Sequence, residues 1–109
     1  MLFYYYNKIV IIGENKIKKE DIQSPFTKAV ADIDKKILSI GCELHIDCAE
    51  ELIKNDSKAK SLWGFNIYPD FHLDFVSLIN VRPADNNRSM EIQNQEICDK
   101  IQGIFKKFI

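Results

Sequence analysis

Residues 28–47, KAVADIDKKILSIGCELHID, decide the fold because two incompatible patterns overlap in this stretch. From Leu38 to Ile46 every second residue is apolar, which predicts a strand from about Ile37 to Ile46. A second apolar pattern has the spacing of an amphipathic helix that would begin at Ser24 and Pro25. The members of that helical stripe are Phe26, Val30, Ile33, Ile37 and Ile40.

We favour a hairpin over the helix because such an alternation of apolar residues is rarely sustained by chance. A two-residue turn at Asp34 and Lys35 would extend the same apolar face across two antiparallel strands. That register pairs Ala29, Ala31 and Ile33 with Ile40, Leu38 and Lys36.

The segments on either side of the deciding stretch add a first strand, a short helix and a second hairpin. Aromatic and β-branched residues from Leu2 to Ile12 predict the first strand. Asp47 is expected to cap a short helix in residues 47–56, DCAEELIKND. Residues 62–69, LWGFNIYP, and 74–83, DFVSLINVRP, predict the second hairpin, with Phe65 opposite Ile79.

The end of the chain, residues 94–109, predicts a C-terminal helix that begins at an Asn94 cap. The expected fold is α+β: a mostly antiparallel sheet of about five strands built from two hairpins, covered on one face by the short helix and the C-terminal helix. A chain of 109 residues is too short for two ordinary domains, so we expect one domain over residues 1–109. The predicted core comprises Leu38, Ile40, Leu44, Phe65, Ile67, Ile79 and Val81.

Charge and cysteine content narrow the classes of function. Fifteen basic against 16 acidic residues give a net charge of -1, which argues against nucleic-acid binding. The apolar start is interrupted by Asn7 and Lys8 and lacks a basic leader, so we expect neither a signal peptide nor a membrane span. Three cysteines in no metal-binding pattern favour reduced thiols and a cytoplasmic location.

The expected sheet has one apolar face and one face with selected polar residues. Glu43 and His45 share the polar side of the first hairpin, where a carboxylate could orient an imidazole for acid/base catalysis. A divalent metal on Glu43, His45 and Asp47 is an alternative of equal weight to acid/base catalysis, although no metal-binding motif supports it. An open water-facing surface without function explains the same pattern equally well. The expected ligand-binding residues are Asn66, Tyr68, Asn80, Arg82, Asn87 and Arg88.

Two arginines near an asparagine-rich loop suit a phosphate or a carboxylate. An alternative is that Arg82 or Arg88 ties the loop to a protein carboxylate.

Residues 28–47, residues 62–69 and residues 77–89, SLINVRPADNNRS, resemble a small family of uncharacterised bacterial and archaeal proteins classed as a domain of unknown function. The resemblance implies a compact single domain and no particular activity.

Two functions fit these residues. The first is binding of, or catalysis on, an anionic small molecule, with no cofactor indicated. The second is a non-catalytic interaction module, for which the aromatic run LFYYY at residues 2–6 suggests a homodimer.

Overall fold

The computed structural model describes residues 9–109 and confirms the α+β fold. Five strands form one antiparallel sheet in the order β1-β3-β2-β4-β5, and two α-helices pack against it. Of the predicted first strand, the part before residue 9 lies outside the described residues. The elements are β1 Val10–Ile12, β2 Thr27–Asp32, β3 Ile37–Cys42, α1 His45–Lys54, β4 Leu62–Ile67, β5 Leu73–Asp74 and α2 Gln95–Lys107.

The first hairpin is confirmed, and the helix over residues 26–40 is excluded. Ala29 pairs with Ile40 and Ala31 with Leu38, as the alternation predicts. The turn is longer than the expected two residues, because the last pair joins Asp32 to Ile37. The Asp32 carboxylate accepts hydrogen bonds from the backbone N–H groups at positions 34 and 35, both at 2.9 Å, and so stabilises the wider turn.

The predicted length of the second strand of the first hairpin is wrong, because this strand, β3, ends at Cys42 instead of Ile46. Gly41 has a φ of 91° and lies where the pairing register shifts, which marks a β-bulge. The chain then turns into α1 at His45, so Asp47 lies inside the helix and is not its cap. Leu44 is 57% exposed instead of buried, because the alternation continues beyond the bulge while the strand does not.

The second hairpin is only partly as predicted. β4 forms, but its partner β5 pairs only Leu73 and Asp74 with it, and Phe65 does not face Ile79. Residues Leu78–Asn80 form a 3-10 turn in place of the expected strand, and Val81 is 43% exposed. The side chain of Asn80 occupies the position that a neighbouring strand would take.

The side-chain amide of Asn80 forms the hydrogen bonds to β4 that the backbone of a neighbouring strand would form. Its Oδ1 accepts from the Gly64 N–H at 2.8 Å, and its Nδ2 donates to the Gly64 carbonyl at 3.0 Å. Gly64 also permits a close approach, since a Cβ there would lie 2.5 Å from the Ser77 Cβ. Ser77 therefore fills the space beside Gly64.

The two helices cover opposite faces of the sheet, which corrects the expectation that both cover one face. Ala29 and Ala31 belong to the core that α2 completes with Ile101 and Phe105. Val30 points to the other face and packs in a second cluster with the buried residues of α1, which are Cys48, Ala49 and Leu52. The face that was expected to be open and polar is therefore covered by α1.

The C-terminal helix begins as predicted. The Asn94 side chain accepts a hydrogen bond from the Glu96 N–H at 2.9 Å, which satisfies one free donor of the first turn. The α2 face toward the sheet is apolar, which accounts for its burial.

The expectation of reduced thiols is wrong for two of the three cysteines. Cys42 and Cys48 form a disulfide, and Cys98 is a free, buried thiol. The bulge at Gly41 explains the pairing, because it turns Cys42 away from Leu38 and Ile40 and toward α1. The sequence pattern had placed all three residues on one face.

Candidate functional site

A cleft lies on the α1 side of the sheet, with a volume of 640 Å³. That volume is typical of small-molecule sites, which span about 300–1,000 Å³. Its polar lining residues are Lys28, His45, Asn66 and Ser77. Its apolar lining residues are Phe26, Leu44, Ile46, Val76, Leu78, Ile79 and Met90.

His45 is held in this cleft by β4. As the first residue of α1, it places Nε2 at 2.9 Å from the Asn66 Oδ1 and 3.0 Å from the Phe65 carbonyl oxygen. The Asn66 amide orientation follows from its other bonds, since Nδ2 donates to the Asp74 carboxylate at 2.7 Å and to the Val76 carbonyl at 2.9 Å. Both contacts of Nε2 are therefore acceptors, so Nε2 carries the proton and Nδ1 is the unprotonated nitrogen.

Burial lowers the pKa of His45, and the nearby Lys28 ammonium lowers it further. The hydrogen bonds to Phe65 and Asn66 and the Asp74 carboxylate oppose this shift without reversing it. The imidazole is consequently neutral at pH 7. Within residues 9–109 its Nδ1 makes no hydrogen bond, so a lone pair is free to accept one.

Tyr68 belongs to the same hydrogen-bond network. Its hydroxyl donates to the Asp74 carboxylate at 2.5 Å, and this bond raises the pKa of Tyr68. Its ring stacks on His72 with 4.2 Å between ring centroids. The structure thus brings three of the predicted site residues together, His45, Asn66 and Tyr68, and joins them through Asp74.

Glu43 is not joined to His45. Its carbonyl oxygen accepts a hydrogen bond from the Lys28 Nζ at 2.6 Å, and it lines two shallow depressions beside the cleft. The two residues would share a strand face only if β3 continued, and the chain changes to helix between them. Asn66, supported by Asp74, orients the imidazole instead.

Asn80 and Asn87 hold backbone segments. The buried Asn87 Nδ2 donates to three carbonyl oxygens, those of Asn80 at 2.7 Å, Ser89 at 2.9 Å and Glu91 at 3.1 Å. Its Oδ1 accepts from the Gln93 N–H at 2.8 Å. Both amides are used within the protein.

Arg82 and Arg88 do not line the cleft of His45. The Arg82 guanidinium donates to the Asp85 carboxylate at 2.9 Å and to the carbonyls of Leu62 and Lys60, and it lies 4.0 Å from the centre of the Trp63 ring. Arg82 borders a separate depression, which shares only two lining residues with the cleft. Arg88 has an exposed side chain.

Sequence reasoning missed Lys28, Asp74 and the apolar lining of the cleft. Asn66 lies in β4 and Tyr68 directly follows the strand, so a carboxylate partner for both could have been sought just after it. No sequence signal marks Lys28, because its position depends on the bulge opposite it. Leu44 and Leu78 were assigned to strands, which hid their exposure.

No three His, Cys, Asp or Glu side chains of the described residues gather as metal ligands. Likewise, no helix between residues 9 and 109 is long and apolar enough to cross a membrane.

The fold and the cleft define a small α+β protein with an apolar cleft and a partly buried histidine network. Residues 9–108 match the family described as "Protein of unknown function (DUF5674)", so the chain belongs to that family. No curated protein and no solved structure matches the chain. The resemblance to a domain of unknown function is confirmed, and the bacterial or archaeal origin stays a prediction.

Proposed function

We propose that the protein binds a small molecule with an apolar body and an anionic head group, such as a carboxylate, in the His45 cleft. The observation that carries this proposal is the composition of the lining, which combines apolar side chains with one ammonium group and one neutral imidazole. A water-exposed apolar lining is costly unless a ligand or a partner covers it. Lys28 donates to the anionic head group, and His45 donates to it once its Nδ1 takes up a proton.

Lys28 suits the anion. Its Nζ donates one hydrogen bond to the Glu43 carbonyl, and an ammonium has three donors, so two remain for a ligand. Charge-assisted hydrogen bonds of this kind are about twice as strong as neutral ones. The anion site therefore lies at Lys28 in this proposal, and not at Arg82 and Arg88.

His45 couples binding to proton uptake. A bound carboxylate raises the lowered pKa of His45. At a pH between the pKa of His45 in the free protein and its pKa in the complex, the complex therefore carries more protons than the free protein. Affinity is then highest at low pH and falls as pH rises through this window. Burial is the largest cause of the lowered pKa of His45 in the free protein, and the charged groups that act on the imidazole are Lys28, which lowers this pKa, and Asp74, which raises it.

The test uses decanoate and decanol as competitors for anilinonaphthalene sulfonate, which fluoresces in apolar sites. Lys28→Met should weaken decanoate about tenfold, which corresponds to about 1.4 kcal/mol. Decanol, which lacks the charge, should be unaffected. Lys100→Met is the matched control, because Lys100 lies on α2 across the sheet. Equal affinities of the original protein for decanoate and decanol would refute the anionic head group.

The second candidate is an interaction module, and the exposure of Leu78 favours it. Leu78 is 73% exposed, and Leu44, Ile46, Val76 and Met90 are also exposed on the same cleft. A homodimer is the simplest such assembly. Light scattering at high protein concentration tests it: a dimer mass that Leu78→Lys converts to a monomer mass supports the module, and a monomer mass for the original protein contradicts the homodimer.

We keep a cytoplasmic location as part of the proposal. The Cys42–Cys48 disulfide removes the argument from reduced thiols, so the location now depends on a direct measurement. Fractionation of cells that express the full chain tests the location: recovery outside the cytoplasm contradicts it.

A further inference from the structure

The Cys42–Cys48 disulfide spans the segment that forms one wall of the cleft. Cys42 is the last residue of β3, Cys48 lies in the first turns of α1, and their Cα atoms are 5.6 Å apart. The residues between them include three that line the cleft, Leu44, His45 and Ile46. The bond therefore closes a short loop that carries the central histidine.

Other contacts hold this loop weakly. Leu44 is the N-cap residue of α1 and provides no side-chain cap, and both Leu44 and Ile46 expose about half of their side chains. The Lys28 bond to the Glu43 carbonyl is exposed. Apart from the disulfide, the segment is restrained by the contact of His45 with β4 and by the hydrogen bond from the Asp47 N–H to the Leu44 carbonyl at 3.0 Å.

The two sulfurs differ in access. Cys42 is 8% exposed and lines two shallow depressions beside the cleft, whereas Cys48 has no exposed surface. Cys42 is therefore the more accessible of the two half-cystines to an incoming thiolate. In reducing compartments, disulfides are usually transient and redox-sensing, which suits a bond placed beside a ligand site.

We propose that the Cys42–Cys48 disulfide is a redox-sensitive restraint on ligand binding, and that its reduction by a dithiol frees the loop and weakens binding in the cleft. The inference rests on the proposed function, because it concerns the same cleft. The inference adds that the thiol–disulfide balance of the compartment controls ligand binding, and it adds no further ligand.

The chemistry is a two-electron thiol–disulfide exchange. One thiolate of the dithiol attacks the Cys42 sulfur, the bond to Cys48 breaks, and the Cys48 thiolate takes up a proton. The second thiol of the reductant then attacks the mixed disulfide and releases Cys42 as a thiol. The reductant leaves as a cyclic disulfide, so the protein gains two electrons and two protons.

The reduced protein pays a larger entropy cost on binding, because the ligand must order a loop that the disulfide previously restrained. Freedom at the loop also weakens the alignment of His45 with Asn66. We expect the Kd for the ligand to rise by about tenfold on reduction.

The experiment measures the Kd of anilinonaphthalene sulfonate for the full chain before and after treatment with dithiothreitol. Near-UV circular dichroism confirms that the reduced protein keeps its tertiary structure. The double variant Cys42→Ala/Cys48→Ala should bind as weakly as the reduced protein and ignore dithiothreitol. Cys98→Ala, the matched control at the free cysteine, should keep the full response. Hydrogen exchange in residues 43–47 should become faster on reduction.

An unchanged Kd together with unchanged exchange would overturn the redox restraint while the proposed function stands. A thiol assay that finds three free thiols in the purified oxidised protein would overturn it as well. If the oxidised protein binds neither anilinonaphthalene sulfonate nor decanoate, the proposed function and this inference fail together.

Discussion

Asn80→Ala should strongly destabilise the protein if Asn80 substitutes for a strand at the edge of β4. Asn80 is fully buried, and its amide contacts both backbone groups of Gly64 and the carbonyls of Phe75 and Met90. Truncation leaves the N–H and the carbonyl of Gly64 without these partners, and each unsatisfied buried group costs about 1–3 kcal/mol. We therefore expect a loss of about 3–5 kcal/mol in the free energy of unfolding.

Urea unfolding followed by circular dichroism measures this loss. The matched control is Asn15→Ala at an exposed asparagine, where the expected change is within about 0.5 kcal/mol. If Asn80 instead served a ligand, its removal would leave the urea midpoint nearly unchanged and abolish binding. A loss below about 1 kcal/mol would refute the edge role of Asn80.

Three further substitutions test other parts of the fold. Gly64→Ala should lower the unfolding temperature, because the added Cβ meets the Ser77 Cβ at 2.5 Å; an unchanged temperature would show that Ser77 moves freely. Arg82→Met should cost about 2 kcal/mol in urea unfolding, since several hydrogen bonds and the stack on an indole ring are lost, whereas Arg88→Met at an exposed position should change little. Leu44→Ala should cost less than about 1 kcal/mol, in contrast to about 2–5 kcal/mol for a buried leucine, and a larger loss would place Leu44 in the core.

Local pattern was sufficient for several elements. The alternation around Leu38 and Ile40 correctly identifies a hairpin and its register, because these residues share one core with Ala29 and Ala31, and a slip by one residue would turn them to the other face of the sheet. The apolar stripe and the Asn94 cap correctly identify α2. In each case the residues that decide the structure are close together in the sequence.

The remaining errors arise where a single residue changes the geometry of the chain. Gly41 adopts a positive φ that starts the bulge, so the alternation from Cys42 onward no longer describes a strand. The side chain of Asn80 pairs with the N–H and the carbonyl of Gly64 in β4, so these groups need no partner from the expected strand. Both effects depend on long-range contacts that periodicity does not report.

The candidate site could be predicted only in part. His45, Asn66 and Tyr68 are among the residues predicted for the site, and they do meet in one network. Their link is Asp74, and the cation at the cleft is Lys28, and neither differs from an ordinary surface residue in the sequence. The apolar lining escaped notice because it comes from a helix start and a 3-10 turn.

Histidine NMR measures whether an amphipathic anion binds at His45. The chain has two histidines, and His72, which contacts Asp70 outside the cleft, serves as the internal reference. We predict that free His45 shows the Nε2-protonated neutral form, that decanoate shifts its ring resonances and raises its pKa, and that the His72 resonances stay in place. Unchanged His45 resonances at saturating decanoate, or equal shifts at both histidines, would contradict the account.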